Sequence, residues 1–319
     1  MVKIAVAGGS GSVAQEIIDI LVATKKHDIS IFTRSDISAE VDPQSGVTYV
    51  KTDYASVQVL SSILQGTHTV LSFISPHKDQ SGAFAAQKNL IDASVDAGVK
   101  RFAPSEWAAA KLEHLHWYEF KADTRQYLQD INSHKKAIEY CLFQPGLFIN
   151  YLTRPYKSME HIKALETPFD LHGRRLLVLD DADDARITFT TVNDLANVVA
   201  KAIEFEGTWP VIGGVRGTDL SIGELITLSE ELRGPVKVEK LKASDLEAGT
   251  WSSSWVPKLE HPSISPEQVE VISKGLTAGL VLAFGDEVFH SSEEWNKLLP
   301  DYEFEDAKTF LAKTWQGKP

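Results

Sequence analysis

The stretch VAGGSGSVAQ, Val6–Gln15, decides the fold. It follows a short apolar run, KIAVA at 3–7, and leads into Val13, Ile17, Ile20 and Leu21 at helical spacing. A strand, a glycine loop and a helix in that order form the opening of a dinucleotide-binding βαβ unit. Gly8, Gly9 and Gly11 permit a tight turn and a close approach of main chain to a pyrophosphate. Ser10, Ser12 and Val13 complete the loop and the first helical turn, whose unpaired N–H groups favour an anion. Ala14 is small enough to let the helix lie close to the strand. The competing reading is a turn with no ligand.

Working outward, apolar runs recur at Ile29–Thr33 (ISIFT), Val47–Lys51 (VTYVK), Thr69–Ile74 (TVLSFI) and Arg101–Pro104 (RFAP), with a helix around Gln87–Asp96. Short strands separated by helices imply crossover connections and a parallel sheet buried on both faces. A helix is predicted over roughly 120–138 and a strand at Tyr140–Phe143. Pro145 and Gly146, in QPGLF, end regular structure. The fold class expected is α/β: a Rossmann-type doubly wound sheet with a smaller α+β substrate lobe. Residues 1–155 form the cofactor domain, with 186–220 returning to it; 156–185 and 221–319 form the lobe. Ser221 and Glu224 make a capping box for a helix to Leu232, Val236–Leu241 alternates like an edge strand, and 262–275 and 304–315 read as helices.

The chain has 319 residues and a formal charge of −12, which disfavours nucleic acid or an anionic membrane as principal partner. Its one cysteine, Cys141, lies in an apolar run and reads as an inert buried thiol. No run approaches the roughly 18 apolar residues of a membrane helix, and the amino terminus reads as a strand and not a signal peptide. A soluble cytoplasmic protein is expected, with a small-molecule substrate and, if regulatory, a homodimer or protein partner.

The cofactor flavour turns on Arg34, at the end of the second strand in IFTRSD. An acid there would accept from the ribose of NAD, whereas an arginine pairs with the extra phosphate of NADP(H). Asp36 stands close by, and a surface arginine is the alternative. Asp53, in KTDYAS, is placed to cap the next helix or to touch adenine. Ser72, Phe73, Ile74 and Ser75 end the fourth strand at the carboxyl edge, where open α/β sheets bind ligands, so their backbone is assigned to the nicotinamide side.

Three segments carry a family resemblance: GGSGSVA at 8–14, VKRFAPSEWA at 99–108, and FKADTR at 120–125 with QPGLFINYL at 144–152. Together they resemble the isoflavone reductase-like and NmrA-like proteins, a branch of the atypical short-chain dehydrogenases. The resemblance is good over about 1–155, looser through 190–203 and 220–232, and poor in the last 70 residues. It implies an NADPH-dependent reductase in which Lys121, followed by Ala122 and Arg125, is the catalytic lysine and also touches cofactor. It also leaves open a dinucleotide-sensing regulator that catalyses nothing. Trp117 stands four residues before Lys121, where ordinary short-chain enzymes carry tyrosine; the resembled group lacks that tyrosine too. The departures are Trp107 and Ala108 in SEWA, where the resembled pattern has phenylalanine and glycine.

Around Lys121 the residues divide. Glu106 is assigned to the substrate pocket, where it orients a ribose or the lysine, or else charges a helix start. Tyr118 can donate a proton, but within one helix a shift of one residue turns it about 100° from the direction of Trp117, so it is disfavoured. His114 and His116 point apart on a helix and no acid or cysteine set completes a metal site; none is expected. His77 is within reach of the cleft. The cluster at 180–184 (DDADD) reads as a solvated turn. Pro145 and Gly146 are placed against the cofactor. Phe148, Tyr151 and Tyr156, with Trp251 and Trp255 in a serine-rich loop, make an aromatic-lined pocket for a flat organic substrate, lobe packing being the alternative for each.

Overall fold

The structure is a computed structural model and describes residues 1–34, 46–76, 79–258 and 266–319, without the side chains of Pro266 and Glu267. Asp36 and His77 lie outside the described residues. The chain begins β1 (Lys3–Ala7), α1 (Ser12–Thr24), β2 (Asp28–Thr33), β3 (Val47–Lys51), α2 (Val57–Ile63), β4 (Thr69–Ser72), α3 (Gln80–Asp96) and β5 (Arg101–Ala103). A 3₁₀ turn at His116–Tyr118 leads into α4 (Glu119–Asn132) and β6 (Glu139–Tyr140). These strands form one six-stranded sheet in the order β3-β2-β1-β4-β5-β6, with every pairing parallel. The order reverses between β1 and β4, which is the switch point where such sheets bind ligands.

Alternation along β1 divides the core. Ile4 and Val6 pack on one side with Ile17 and Leu21 of α1, while Ala5 and Ala7 pack on the other with Leu60, Leu90 and Ile91. Side chains of period two thus meet helices on both faces. Each fully buried aliphatic side chain contributes about 1.5–3 kcal/mol, so both layers are strongly held.

The chain continues through β7 (Leu142–Gln144), β8 (Leu147–Phe148), β9 (Phe169–Asp170), β10 (Arg175–Leu179), β11 (Arg186–Thr190), α5 (Val192–Glu204), β12 (Ile212–Gly214), β13 (Thr218–Ser221), α6 (Ile222–Arg233) and β14 (Lys237–Leu241). It ends with α7 (Ala243–Glu247), α8 (Pro266–Gly285), α9 (Glu294–Leu298) and α10 (Ala307–Trp315). β12 runs parallel to β7, β11 lies between β8 and β13, and β14-β10-β9 form a further sheet. α5 buries its face against the β1 side with α1. The capping box of Ser221 and Glu224 is present.

Several expected bounds differ. The strand expected at 140–143 is two short strands broken at Cys141, whose N–H donates to Phe102 O while Leu142 N–H turns to Val211 O. α3 begins seven residues earlier than expected, because Asp79 accepts from Gly82 N–H and caps it. α8 runs on to Gly285, burying Val281, Leu282 and Phe284.

Trp251 and Trp255 are buried, and Trp255 lines a small cavity together with Tyr151. They are 3% and 8% exposed and pack with Leu177, Leu241, Leu246 and Leu282 beneath α8. The Arg175 guanidinium lies 4.2 Å from the Trp255 ring. Their burial agrees with the packing alternative.

Candidate functional site

Parallel register sets the carboxyl ends of β1, β2 and β4 level: Ala7 pairs with Phe32 and with Ser72. Gly8 leaves β1 with φ +71°, and a Cβ there would stand 2.9 Å from the Phe73 carbonyl carbon. At Gly9 a Cβ would meet Ile31 Cγ2 at 2.5 Å. Ser10, Gly11 and Ser12 are exposed and Val13 is half-buried. Gly11 is the residue before α1, and no side chain caps that helix end. The first turn carries no acid either. Open N–H groups with no competing carboxylate suit the pyrophosphate of a dinucleotide.

A residue missed in the sequence completes this loop. The Tyr54 hydroxyl donates to Phe32 O at 3.0 Å and accepts from Gly8 N–H at 2.9 Å. It ties the glycine turn to the end of β2, and burial pushes its pKa up to about 12, so it stays a phenol. The reading of KTDYAS settled on the neighbouring acid. Asp53 is exposed and accepts from Ala55 N–H at 2.9 Å; the cap of α2 is Ser56, which accepts from Val59 N–H. The helix begins three residues later than the acid requires, which corrects the capping assignment. Arg34 is exposed one residue beyond β2.

At the exit of β4, Ser72 is fully buried and donates to Gln87 Oε1 at 2.5 Å. Phe73 and Ile74 are buried and Ser75 is exposed. The Trp107 indole donates to Ser72 O at 2.7 Å and stacks on Phe73 at 4.5 Å and on Phe143 at 5.3 Å. Trp107 has φ +52° and no helix begins at Ser105-Glu106, so the helix-start alternative for Glu106 does not hold.

Glu106 faces inward, 2% exposed. Its carboxylate receives Arg125 at 2.5 and 3.0 Å, and Arg125 also donates to Ala110 O at 3.1 Å. Lys121 is 5% exposed, donates to the Glu106 main-chain carbonyl, and sits 4.2 Å over the Tyr118 ring. Because Arg125 already satisfies the carboxylate, the three groups sum to one positive charge, carried by Lys121. Desolvation lowers the lysine pKa from 10.5 to about 8, opposed by Glu106 and reinforced by Arg125. A desolvated ammonium that titrates near neutrality can stabilise charge on a reacting atom or surrender a proton to it.

Pro145 and Gly146 are buried in the turn after β7. Gly146 has φ +75° and its Cβ would stand 2.3 Å from Thr188 O, so this turn is pressed against β11. Phe148 is buried and meets half-buried Tyr151 edge-on at 5.9 Å. Tyr156 instead packs edge-on against Trp315 at 5.3 Å. His114 pairs with Asp286 of the α8 exit at 2.6 Å, and among the described residues no cluster of metal-ligating side chains occurs. Asp183 of the acidic run is exposed and takes Lys240 at 2.8 Å.

A crevice of about 980 Å³ opens at the opposite, amino edge of the sheet, lined by Lys26, His27, His68, Arg101, Glu139 and Glu204. Lys26 pairs there with Glu204 and Arg101 with Glu139, Lys25, Lys100 and Glu206 also line it, and no strand carboxyl end points there. The glycine loop and Lys121 lie at the other edge. No described helix is long and apolar enough to cross a membrane.

The chain is 28% identical over 241 residues to "Oxidoreductase BOA1" of Botryotinia fuckeliana, covering 73% of this chain and 77% of that one. It is 22% identical over 260 residues to "Oxidoreductase swnN" of Metarhizium robertsii, 73% and 74% of the two chains. Its fold matches the solved structure of AtPrR2 with NADP+ and (+)pinoresinol, with a TM-score of 0.68, 19% identity and 98% of each chain covered. It also matches a Citrobacter triphenylmethane reductase complexed with NADP(H), TM-score 0.67, 19% identity, 98% and 99% covered. The model of the NmrA-like family matches residues 2–209, and the chain belongs to that family.

Proposed function

We propose that the protein is an NADPH-dependent reductase acting on a carbonyl, imine or activated double bond of a small, flat, aromatic molecule. The observation that carries this is Lys121: a buried ammonium with no carboxylate of its own, at the sheet edge where the glycine loop lies. The fit to a dinucleotide rests on the uncapped start of α1 and on Gly8 and Gly9, whose missing side chains let the loop close against Phe73 and Ile31. When bound, the dinucleotide supplies the hydride. Gly8–Val13 hold its phosphates, Arg34 takes the additional phosphate, and Ser72–Ser75 with Pro145 and Gly146 line the reactive end. Lys121 stabilises the charge left on the acceptor atom. Glu106 acts by fixing Lys121 and Arg125, and Phe148 and Tyr151 wall the pocket. Residues 1–155 with 186–220 serve as the cofactor domain, and 156–185 with 221–319 as the substrate lobe.

The names of the fungal relatives and the ligands of the solved neighbours support this reading. Its test is NADPH oxidation across a panel of aldehydes, quinones and enones, with wild type and Lys121→Ala. Turnover lowered about 10²- to 10⁴-fold by the substitution, with NADPH still bound, is expected. Tight NADP binding with no turnover by wild type would replace it with the sensing-regulator reading.

A further inference from the structure

We propose that Tyr118 is the proton donor of this site, with its phenol held beneath the Lys121 ammonium; this rests on the reductase reading above. Position in the sequence disfavours Tyr118, because one residue along an α-helix turns a side chain by about 100°. That rotation applies only within one continuous helix. His116–Tyr118 is a 3₁₀ turn, and Tyr118, at φ −113° and ψ 15°, is the residue where it gives way to α4. In 3₁₀ geometry residues three apart eclipse, and the change at this junction brings Tyr118 under Lys121. The ammonium sits 4.2 Å from the ring centroid, against 5.6 Å from that of Phe120.

The surroundings of the hydroxyl fit a donor. Tyr118 is half-buried as a residue, and its phenol is desolvated. The Trp117 ring lies edge-on at 5.9 Å. The charged and titratable groups facing Tyr118 are Lys121 and Arg125 from α4, Glu106 from the loop after β5, and Tyr151 from the 3₁₀ turn at Ile149–Thr153. Burial raises the pKa of both phenols, so both are protonated at neutral pH. Gln80 at the start of α3 fixes the segment: its amide donates to His116 O at 2.6 Å and accepts from Phe120 N–H at 3.1 Å.

The acceptor carbon gains a hydride, with its electron pair, from the reduced nicotinamide. The π pair of the acceptor moves to its heteroatom or distal carbon. That atom takes the phenolic proton as the Tyr118 O–H bond breaks. The tyrosinate is stabilised by the ammonium above its ring and recovers a proton from water. NADPH, one proton and the double bond become NADP+ and the reduced product.

Two measurements test this. Near-ultraviolet titration of wild type minus Tyr118→Phe isolates the ionisation of Tyr118 without cofactor or substrate. Lys121 is already neutral where a phenol ionises, so Lys121→Arg, charged throughout the titration, is compared with Lys121→Met, each minus its own Tyr118→Phe partner. The midpoint in Lys121→Arg is expected to lie about one pH unit or more below that in Lys121→Met; equal midpoints remove the coupling and overturn the assignment. In the acceptor panel, Tyr118→Phe should bind NADPH within about threefold of wild type. Its kcat should fall about 100-fold or more, with a changed alkaline limb of the pH profile. Wild-type turnover with Tyr118→Phe equally active and unchanged in pH profile overturns the donor role alone. Absence of wild-type turnover on every acceptor overturns the reductase reading and this assignment with it.

Discussion

Glu106 and Arg125 form a two-point ion pair, 2.5 and 3.0 Å, while the main-chain carbonyl of that same Glu106 holds Lys121. One residue thus separates its roles: the carboxylate neutralises the guanidinium and the carbonyl aims the ammonium. Arg125→Ala leaves a carboxylate that is 2% exposed without its partner. Breaking a buried pair from one side costs about 3–5 kcal/mol, so its urea midpoint should fall markedly. Arg125→Lys should recover only part of this, because a single ammonium does not match the two-point geometry.

Lys121 itself destabilises the fold at neutral pH. Its pKa is about 8 in the folded protein against 10.5 as the ordinary value, so the unfolded chain binds more protons between those limits. Stability from this group therefore rises as pH climbs from about 8 to about 10.5, and the full penalty, roughly 3 kcal/mol, applies below pH 8. Lys121→Met removes it while orphaning the Glu106 carbonyl, which costs about 1–3 kcal/mol. The variant should match or exceed wild type in urea stability at pH 7, and its relative stability should decline as pH approaches 10.5. A variant clearly weaker than wild type at pH 7, with no change in the difference on raising pH, would contradict the buried charge.

The sheet was readable because its signals are local: apolar runs of strand length, glycines at a strand exit, and helical spacing between them. The cofactor loop came from the same signals. What escaped depended on register and packing. Tyr54 reaches Gly8 only because β2 and the segment after β3 fold back beside β1, a contact 46 residues apart in sequence. Trp251 and Trp255 look like an exposed aromatic loop, yet pairing of β10 with β14 gives them an apolar floor. The 3₁₀ turn ahead of α4, which sets the direction of Tyr118, was not legible because such a turn and an α-helix start carry the same polar and aromatic residues, and only the backbone angles separate them.

The glycines of the loop should differ in kind. Gly8→Ala meets both the positive φ of +71° and a contact of 2.9 Å with Phe73 main chain, so it should cost both stability and NADPH binding. At Gly11 the nearest contact of a Cβ is 3.3 Å, to Gly8 O. Gly11→Ala should keep a near-native melting temperature and lose cofactor affinity, because it adds a methyl at the residue that leads into the uncapped start of α1. Equal losses of stability in both variants would show that the loop is tuned for the fold alone.

Arg34 provides the last prediction, on the choice between the two nicotinamide dinucleotides. It is exposed at the end of β2, level with the glycine loop across the Ala7–Phe32 pairing. In the proposed function a guanidinium there would meet the additional phosphate of NADPH with charge-assisted hydrogen bonds of about 1.5–3 kcal/mol. Arg34→Ala should therefore weaken NADPH about 10- to 100-fold in fluorescence titration, leave NADH within about threefold, and lose most of the salt dependence of NADPH binding. Equal weakening of both dinucleotides would mean that Arg34 supports the loop and does not read the phosphate. Unchanged NADPH binding would remove Arg34 from the site altogether.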